Sequence, residues 1–333
     1  AASLMGGWCA KSNSTLSFCM KNHTRIASLC LFSALAINTF AGQVFVTNEG
    51  SGDISVIDSN TDTVVQTIAT EGKPRGLALC KNDPHLYVSN QNGSQLQAIH
   101  TQTLAIEKTL TLGESPEAVY CSPDGQWVAV ANEGSNSVSF ISTARWKAQF
   151  SIPVHGKNPE HAVFSPNGKL MLVSAEEADQ VDIIDIAKRK QIKSIRVGNR
   201  PRGIVFSPDG KTAYVAVETD SLLVAIDVPK LAVKGTLVVG TRTNGLTMHP
   251  NGKWLFASNG GDANVAVIDT ETFTVHTKVA VGQRPWNMAI TPDGSKLYVA
   301  AGRSHAASVI DANLFTPIAT VPVGKLPWGA ASN

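Results

Sequence analysis

The pattern of apolar and polar positions repeats at a regular interval from residue 44 to the end of the 333-residue chain. Each unit of the pattern holds four short apolar runs. In one unit they cover residues 162–164, 170–173 and 183–185, and the fourth run ends at Ile195. The runs are rich in β-branched and aromatic residues and are bounded by Gly, Pro, Asn and Asp, which predicts short β-strands separated by turns. The runs are apolar on both faces, as expected for sheets that pack between two others.

A proline marks the same point of nearly every unit. Steps between successive marks are 42, 43, 42, 42, 42 and 42 residues, and Thr243 replaces the proline once. The prolines are Pro74, Pro116, Pro159, Pro201, Pro285 and Pro327. Four strands in a period of about 42 residues predict one blade of a β-propeller.

The two ends of the repeating region supply complementary parts of one unit. The pattern begins at Val44 with a second-strand run and ends at residues 328–331 with a first-strand run. Pairing these runs would complete a blade and remove the free sheet edges. We therefore predict an all-β fold over residues 42–333: a seven-bladed β-propeller of four-stranded blades, in which N- and C-terminal strands share one blade.

The loops of such a blade alternate between the two faces of the disc. Loops that enter the first strand carry Gly-x-x-Pro and share a face with the loops between the second and third strands. The opposite face receives Pro-Asp-Gly and Pro-Asn-Gly sequences, which are typical of hairpin turns. Because function concentrates in variable loops, we expect a binding site on the Gly-x-x-Pro face, near the central channel.

The residue after the proline varies while its surroundings repeat. The ring consists of Arg75, Glu117, Glu160, Arg202, Asn244, Trp286 and Trp328. Variation on a fixed scaffold is typical of a binding surface for a ligand or partner. The alternative is drift among repeats, with the charged residues paired as surface salt bridges.

His161 stands where the other units have Gly76, Ala118, Gly203, Gly245, Asn287 and Gly329. An imidazole at this position could project into the channel as a metal or haem ligand or as a general base, with His155 as its partner. The alternative is a structural histidine held by hydrogen bonds. His161 is the best metal-ligand candidate in the chain.

Four arginines lie on three successive units. Arg200, Arg202, Arg242 and Arg284 would suit the bidentate capture of carboxylates, from a polycarboxylate quinone, haem propionates or an acidic protein partner. The alternative is that they pair with Glu218 and neighbouring carboxylates.

The first forty residues differ from the rest. Residues 20–41 combine a positive start, a 12-residue apolar stretch and small residues at Thr39 and Ala41, which is typical of a secretory signal peptide. We predict cleavage after Ala41, residues 1–19 as an extension ahead of the natural start, and a periplasmic or secreted bacterial protein. An amphipathic helix or a retained anchor is the alternative interpretation.

Composition narrows the range of partners. The formal net charge is only +2 and the basic residues are dispersed, so nucleic acid is not an expected partner. No apolar run of the mature chain is long enough for a membrane-spanning helix, and we expect a monomer.

Cys80 and Cys121 fall six and five residues after their prolines. Side chains one step apart on a strand point to opposite faces, so we favour two buried cysteines over a disulfide.

Short sequence motifs connect the chain to a known family. Tyr87-Val-Ser-Asn90, Val46-Thr-Asn48, the Ser-Pro-Asp-Gly turns and the Val-Ile-Asp strands resemble the YVTN-type β-propeller repeat family of exported proteins. Gly282–Trp286 and Gly324–Trp328 resemble its subgroup associated with pyrroloquinoline-quinone-dependent catabolism. More distantly, the chain is similar to propellers that carry d-type haem.

The resemblance implies an accessory role in a redox or quinone-dependent oxidation system. We expect a non-catalytic propeller that binds a periplasmic protein partner or a small anionic ligand and needs no cofactor. One alternative is a redox or cofactor-processing enzyme that holds haem or pyrroloquinoline quinone at the channel mouth. Another is a propeller lactonase that uses Glu117 and Glu160. No nucleophile elbow, His-Glu-x-x-His or phosphate loop occurs in the sequence.

Overall fold

A computed structural model describes residues 42–333 of the chain. The predicted extension and signal peptide lie outside the described residues. Residues 42–333 form 28 strands in seven four-stranded antiparallel sheets, named blades A to G. Within this range no helix is long and apolar enough to span a bilayer.

The strands follow one another blade by blade. Blade A contains β1 (Gln43–Asn48), β2 (Asp53–Asp58) and β3 (Thr63–Ala69); blade B contains β4 (Pro74–Leu79), β5 (His85–Asn90), β6 (Gln95–His100) and β7 (Ile106–Thr111); blade C contains β8 (Pro116–Cys121), β9 (Trp127–Asn132), β10 (Ser137–Ser142) and β11 (Lys147–Pro153); blade D contains β12 (Pro159–Phe164), β13 (Leu170–Ala175), β14 (Gln180–Asp185) and β15 (Lys190–Arg196). Blade E contains β16 (Pro201–Phe206), β17 (Thr212–Val217), β18 (Leu222–Asp227) and β19 (Ala232–Val238); blade F contains β20 (Thr243–Met248), β21 (Trp254–Asn259), β22 (Asn264–Asp269) and β23 (Thr274–Ala280); blade G contains β24 (Pro285–Ile290), β25 (Lys296–Ala301), β26 (Ala306–Asp311) and β27 (Thr316–Pro322). Two 3-10 turns, Glu176–Ala178 and Gly302–Ser304, follow β13 and β25.

The last strand closes the ring. β28 (Pro327–Ser332) pairs antiparallel with β1, so blade A has the order β28-β1-β2-β3. The other blades each use four consecutive strands. The prediction of a seven-bladed all-β propeller with one shared blade is therefore confirmed.

The core lies between the blades. One cluster joins Leu172 and Ile183 of blade D to Ile204, Val215 and Val224 of blade E. The outermost strands differ, since in β3 only Ile68 is buried. The expectation of runs that are apolar on both faces thus holds for the inner strands and is wrong for the outermost one.

Six of the first strands begin at the proline itself, earlier than the apolar runs suggest. In β16, Pro201 lies opposite Val217, and the register then shifts so that Ile204 faces Val215. Proline suits this irregular start because it has no N–H to leave unpaired. In blade F the hydroxyl of Thr243 anchors the same point, 3.0 Å from the carbonyl oxygen of Gly240.

Cys80 and Cys121 form a disulfide between blades B and C, with their Cα atoms 5.3 Å apart. The expectation of two separate cysteines is therefore wrong. Cys80 follows β4, and Cys121 ends β8 in the next blade. Neighbouring sheets meet through opposite faces, so residues whose positions differ by one step can face each other across the gap.

Candidate functional site

The predicted face collects the starts of the first strands and the ends of the second strands. In blade E the backbone N–H of Glu218, just after β17, donates to the carbonyl oxygen of Arg200 at 2.9 Å. Blades F and G repeat this bond from Gly260 to Arg242 and from Gly302 to Arg284. We call this surface the mouth face.

The residue that follows the second strand differs around the ring. The seven residues are Glu49, Gln91, Glu133, Glu176, Glu218, Gly260 and Gly302. Four blades thus place a carboxylate at the mouth, whereas blades F and G place none at this position. The missing carboxylates of blades F and G determine which glutamates the nearby arginines can contact.

Glu218 lies at the centre of the arginine cluster. Its carboxylate oxygens are 2.8 Å from Arg202 Nε, 2.8 Å from Arg284 Nη2, 3.2 Å from Arg242 Nε and 3.5 Å from Arg200 Nε. Burial alone would raise its pKa, but Arg202 and Arg284 outweigh that effect and lower the pKa of Glu218 to about 2. The four arginines converge on Glu218, which is the alternative pairing given by the sequence analysis.

Arg202 and Arg200 have further partners in blade D. Arg202 Nη1 contacts the carboxylate of Glu160 and lies 2.8 Å from Glu176 Oε2. Arg200 Nε lies 2.6 Å from Glu176 Oε1. The positive charges of blade E are therefore compensated by the carboxylates of Glu160 and Glu176 in the neighbouring blade D.

Arg242 and Arg284 are less fully compensated. Glu218 is the only carboxylate within ion-pair distance of either one among residues 42–333. The Arg242 side chain is 53% exposed, whereas that of Arg284 is 12% exposed and its Nη1 has no hydrogen-bond partner among the described residues. A Cβ on Gly260 would lie 2.9 Å from Arg284 Nη1, so the glycine makes room for the guanidinium group. We call Arg242, Arg284 and the adjacent Trp286 the basic sector.

A second charged group lies across the ring. Arg75 Nη1 is 2.6 Å from Glu117 Oε1, Arg75 Nε is 3.4 Å from Glu49 Oε2, and the guanidinium carbon lies 4.9 Å from the ring centre of Trp328. Burial raises the pKa of Glu117 to about 8, although Arg75 opposes the shift. Arg75, Glu160, Arg202, Asn244, Arg284, Trp286 and Trp328 surround a mouth cavity of only about 40 Å³. The ring of residues after the proline therefore narrows the channel.

His161 lies behind this ring and is 3% exposed. Its Nδ1 is 2.7 Å from the hydroxyl oxygen of Tyr120 in the preceding blade, and its Nε2 has no partner among the described residues. Burial, with a smaller contribution from the charge of Arg75, lowers the pKa of His161 to about 3. The expected partner was wrong: His155 lies on an exposed loop, where its backbone N–H donates to Gln191.

His161 faces a cavity on the axis of the ring. The cavity is about 280 Å³ and is lined by the first strands of all seven blades. Trp328, from the far side of the ring, covers His161 with its ring centre 6.3 Å away and the two planes 19° apart. We call this cavity the axial chamber.

The chamber is small for a large cofactor. Its volume of about 280 Å³ lies at the lower edge of the 300–1,000 Å³ that is usual for drug-sized ligands, so it would not enclose a haem next to His161. Among residues 42–333, no group of three or more His, Cys, Asp or Glu side chains could hold a metal ion. We therefore assign neither a haem nor a metal to His161.

Tyr120 is the residue that sequence reasoning missed. At its position the other blades have Ala78, Val163, Val205, Thr247, Ala289 and Ala331. Tyr120 is the only tyrosine at this position of the repeat, where the other blades have small residues, and this difference could have identified it as a site residue. The partner of His161 comes from the neighbouring blade and not from the adjacent loop.

Family models match two separate parts of the chain. Residues 187–316 match the model described as lactonase, 7-bladed beta-propeller, and residues 3–161 match a YNCE-like beta-propeller. Both models describe β-propellers, in agreement with the observed fold. No curated protein matches the chain.

Solved structures share the fold at low sequence identity. A hydrazine synthase from Kuenenia stuttgartiensis has a TM-score of 0.70 and 22% identity, over 78% of this chain and 89% of that one. A functionally unknown protein from Desulfotomaculum acetoxidans DSM 771 has a TM-score of 0.78 and 18% identity, over 88% and 99%. Dihydro-heme d1 dehydrogenase NirN in complex with DHE has a TM-score of 0.67 and 14% identity, over 86% and 74%.

Proposed function

We propose that this protein is an exported, non-catalytic binding propeller that takes the carboxylate groups of an anionic ligand or partner protein on its basic sector. In this proposal it works in the periplasm as an accessory to a redox or quinone-dependent oxidation system. The accessory role rests on the resemblance of its Gly-x-x-Pro-Trp motifs to the quinone-associated subgroup and on the named functions of two structural neighbours.

One observation carries the binding proposal. Arg242 and Arg284 come from blades that have glycine where four other blades have glutamate, so both share Glu218 of blade E for charge compensation. Arg284 also keeps a buried N–H group without a partner. An unpaired buried donor on a charged group is costly, and an incoming carboxylate would supply the missing acceptor.

The disulfide supports export. Cys80 and Cys121 join two blades, and disulfides persist mainly in oxidising compartments such as the bacterial periplasm. The signal-peptide pattern of residues 20–41 agrees with this location.

Calorimetric titration of the purified protein with citrate and with pyrroloquinoline quinone tests the binding proposal. Both probes are tricarboxylates, and binding to the outer face does not require entry into the axial chamber. We expect Arg242→Gln and Arg284→Gln each to weaken binding about tenfold or more, because each removes a charge-assisted hydrogen bond.

Arg196→Gln is the matched control, since Arg196 is 83% exposed on the outermost strand of blade D. It should bind both probes as the wild type does. Absence of binding to either probe, together with failure of an acidic partner to co-purify from the periplasm, would contradict the proposal.

A lactonase is the second candidate, favoured by the family model that matches residues 187–316. Glu117 and Glu160 are buried at the mouth and could act on a lactone. Hydrolysis of δ-valerolactone by the purified protein, lost in Glu117→Gln and Glu160→Gln, would support it. Turnover that is absent, or unchanged in both folded variants, excludes this role for the two carboxylates.

A further inference from the structure

We propose that the axial chamber is a second binding site, for a small, uncharged molecule with one hydrogen-bond acceptor, which accepts a hydrogen bond from His161 Nε2. This site is separate from the basic sector, because Trp328 and the charged ring lie between the two. The inference does not depend on the anionic ligand proposed above.

The size and lining of the chamber define the ligand class. A dry protein cavity of about 150 Å³ already binds benzene, and the chamber is about 280 Å³. Its walls combine aliphatic residues such as Val163 and Ile204 with the polar residues Thr247 and Asn287, and no Asp, Glu, Lys or Arg side chain lines it. A charged ligand would lose its hydration there without gaining an opposite charge, so a neutral molecule is favoured.

His161 supplies the polar contact. Its Nε2 is buried and has no partner among the described residues, and His161 is one of the residues that line the chamber. Buried polar groups are nearly always hydrogen-bonded, so an orphan nitrogen beside a cavity marks a place for a ligand atom. In a neutral imidazole one ring nitrogen is a donor and the other an acceptor, so the tautomer of His161 fixes which of the two Nε2 is.

Tyr120 decides which role that is. If its hydroxyl donates to His161 Nδ1 across 2.7 Å, Nε2 carries the remaining ring proton and faces the chamber as a donor. The opposite tautomer would leave both the phenol proton and the Nε2 lone pair unsatisfied. The first arrangement leaves one unsatisfied group instead of two, so we assign the donor to Nε2 and an acceptor to the ligand.

The matching position in other blades shows that the imidazole is specific to this site. A Cβ on Gly76 would lie 2.4 Å from the carbonyl oxygen of Glu117, and a Cβ on Gly245 would lie 2.4 Å from that of Trp286. Glycine is needed at these two positions because adjacent first strands approach closely, whereas blades C and G have Ala118 and Asn287 at the matching position. Blade D instead accommodates a large side chain, which turns towards Tyr120 and the chamber.

Cyclohexanone and benzene are the probes. Both fit the expected size, and only cyclohexanone carries an acceptor. In the ¹⁵N-histidine-labelled full chain, we expect the His161 ring to be in the tautomer protonated at Nε2, with a resonance that shifts saturably as cyclohexanone is added. His161→Phe should weaken cyclohexanone binding about twofold to tenfold, the range of one neutral hydrogen bond, and leave benzene binding unchanged.

His155→Phe is the matched control, because it makes the same substitution on an exposed loop. It should leave both affinities unchanged. Tyr120→Phe should shift the His161 tautomer populations and weaken cyclohexanone binding. If His161→Phe does not fold, the wild-type tautomer and titration decide alone.

Three results would overturn the proposal. They are a His161 ring protonated at Nδ1, a His161 resonance that does not respond to cyclohexanone, and cyclohexanone affinity that is equal in the wild type and a folded His161→Phe. A chamber filled by water would give the second result.

Discussion

Two buried glutamates of the mouth have opposite acid–base properties. Glu218 is surrounded by four arginines, and its pKa is lowered to about 2. Glu117 has Arg75 as its close cationic partner, and burial raises its pKa to about 8. Glu218 has four arginines within reach, whereas Glu117 has one close cation and lies beside the carboxylate of Glu133, which raises its pKa further.

Glu218→Gln should destabilise the protein by about 3 kcal/mol at pH 7, since the shift from 4.5 to about 2 is worth that much. The folded pKa is the lower one, so this stability is complete above about pH 4.5 and is lost as the pH falls towards 2. Urea unfolding at a series of pH values should show the wild type and the variant converging at about pH 2.

Glu177→Gln serves as the control on the same face, because Glu177 is exposed. Glu117→Gln should show the reverse pH dependence. Its folded pKa is raised, so wild-type stability falls as the pH rises from 4.5 to about 8 and the glutamine variant gains relative to it. A constant difference between Glu218→Gln and the wild type over pH 2–7 would contradict the proposed charge arrangement.

At the scale of elements, the first strands carry nearly all of the site. They line the axial chamber, bear the ring after the proline and hold the disulfide at the ends of β4 and β8. Their closeness explains both the glycines two residues after the proline and the small mouth cavity. Packing between blades and the geometry of the site are therefore set by the same strands.

Replacing both Cys80 and Cys121 by alanine should lower the free energy of unfolding by about 2–4 kcal/mol, because the bond closes a loop between residues 41 positions apart. Dithiothreitol should produce the same loss in the wild type, as measured by urea unfolding. The double variant is its own control, since the reductant should not affect it further. Equal stability of oxidised and reduced wild type would show that the bond does not contribute.

At the scale of the whole molecule, one strand completes both the ring and the site. β28 pairs with β1 and places Trp328 between Arg75 and His161. Without it, blade A would keep three strands and present the edge of β1. The first and last strands of the propeller are also joined by the N–H of Asn333, which donates to the carbonyl oxygen of Gln43 at 3.1 Å.

A chain that ends at Gly324 should therefore unfold at a lower temperature and associate through the open edge, whereas we expect the complete protein to be a monomer. Thermal unfolding and sedimentation measure both effects. A synthetic peptide of residues 325–333 should restore part of the stability by adding the missing strand. A truncated chain that remains monomeric, with an unchanged melting temperature, would show that closure is dispensable.

The sequence by itself determined the blades, their number, the shared blade and the face that carries the charged ring. These features follow from local patterns: the recurring proline, the turn residues and the apolar runs fix strands and hairpins over short distances. The arginine cluster was also predicted, together with Glu218 as an alternative partner. The signal peptide and the accessory role remain predictions.

Only the tertiary structure decided which side chains meet across blades. Cys80 forms a disulfide with Cys121 although their positions within the repeat differ by one residue. His161 forms a hydrogen bond with Tyr120 and not with His155. Glu218 contacts arginines from three blades because blades F and G have glycine in place of the carboxylate at the mouth. Such contacts depend on the distance and relative orientation of neighbouring sheets around the axis, which the pattern along one strand does not contain.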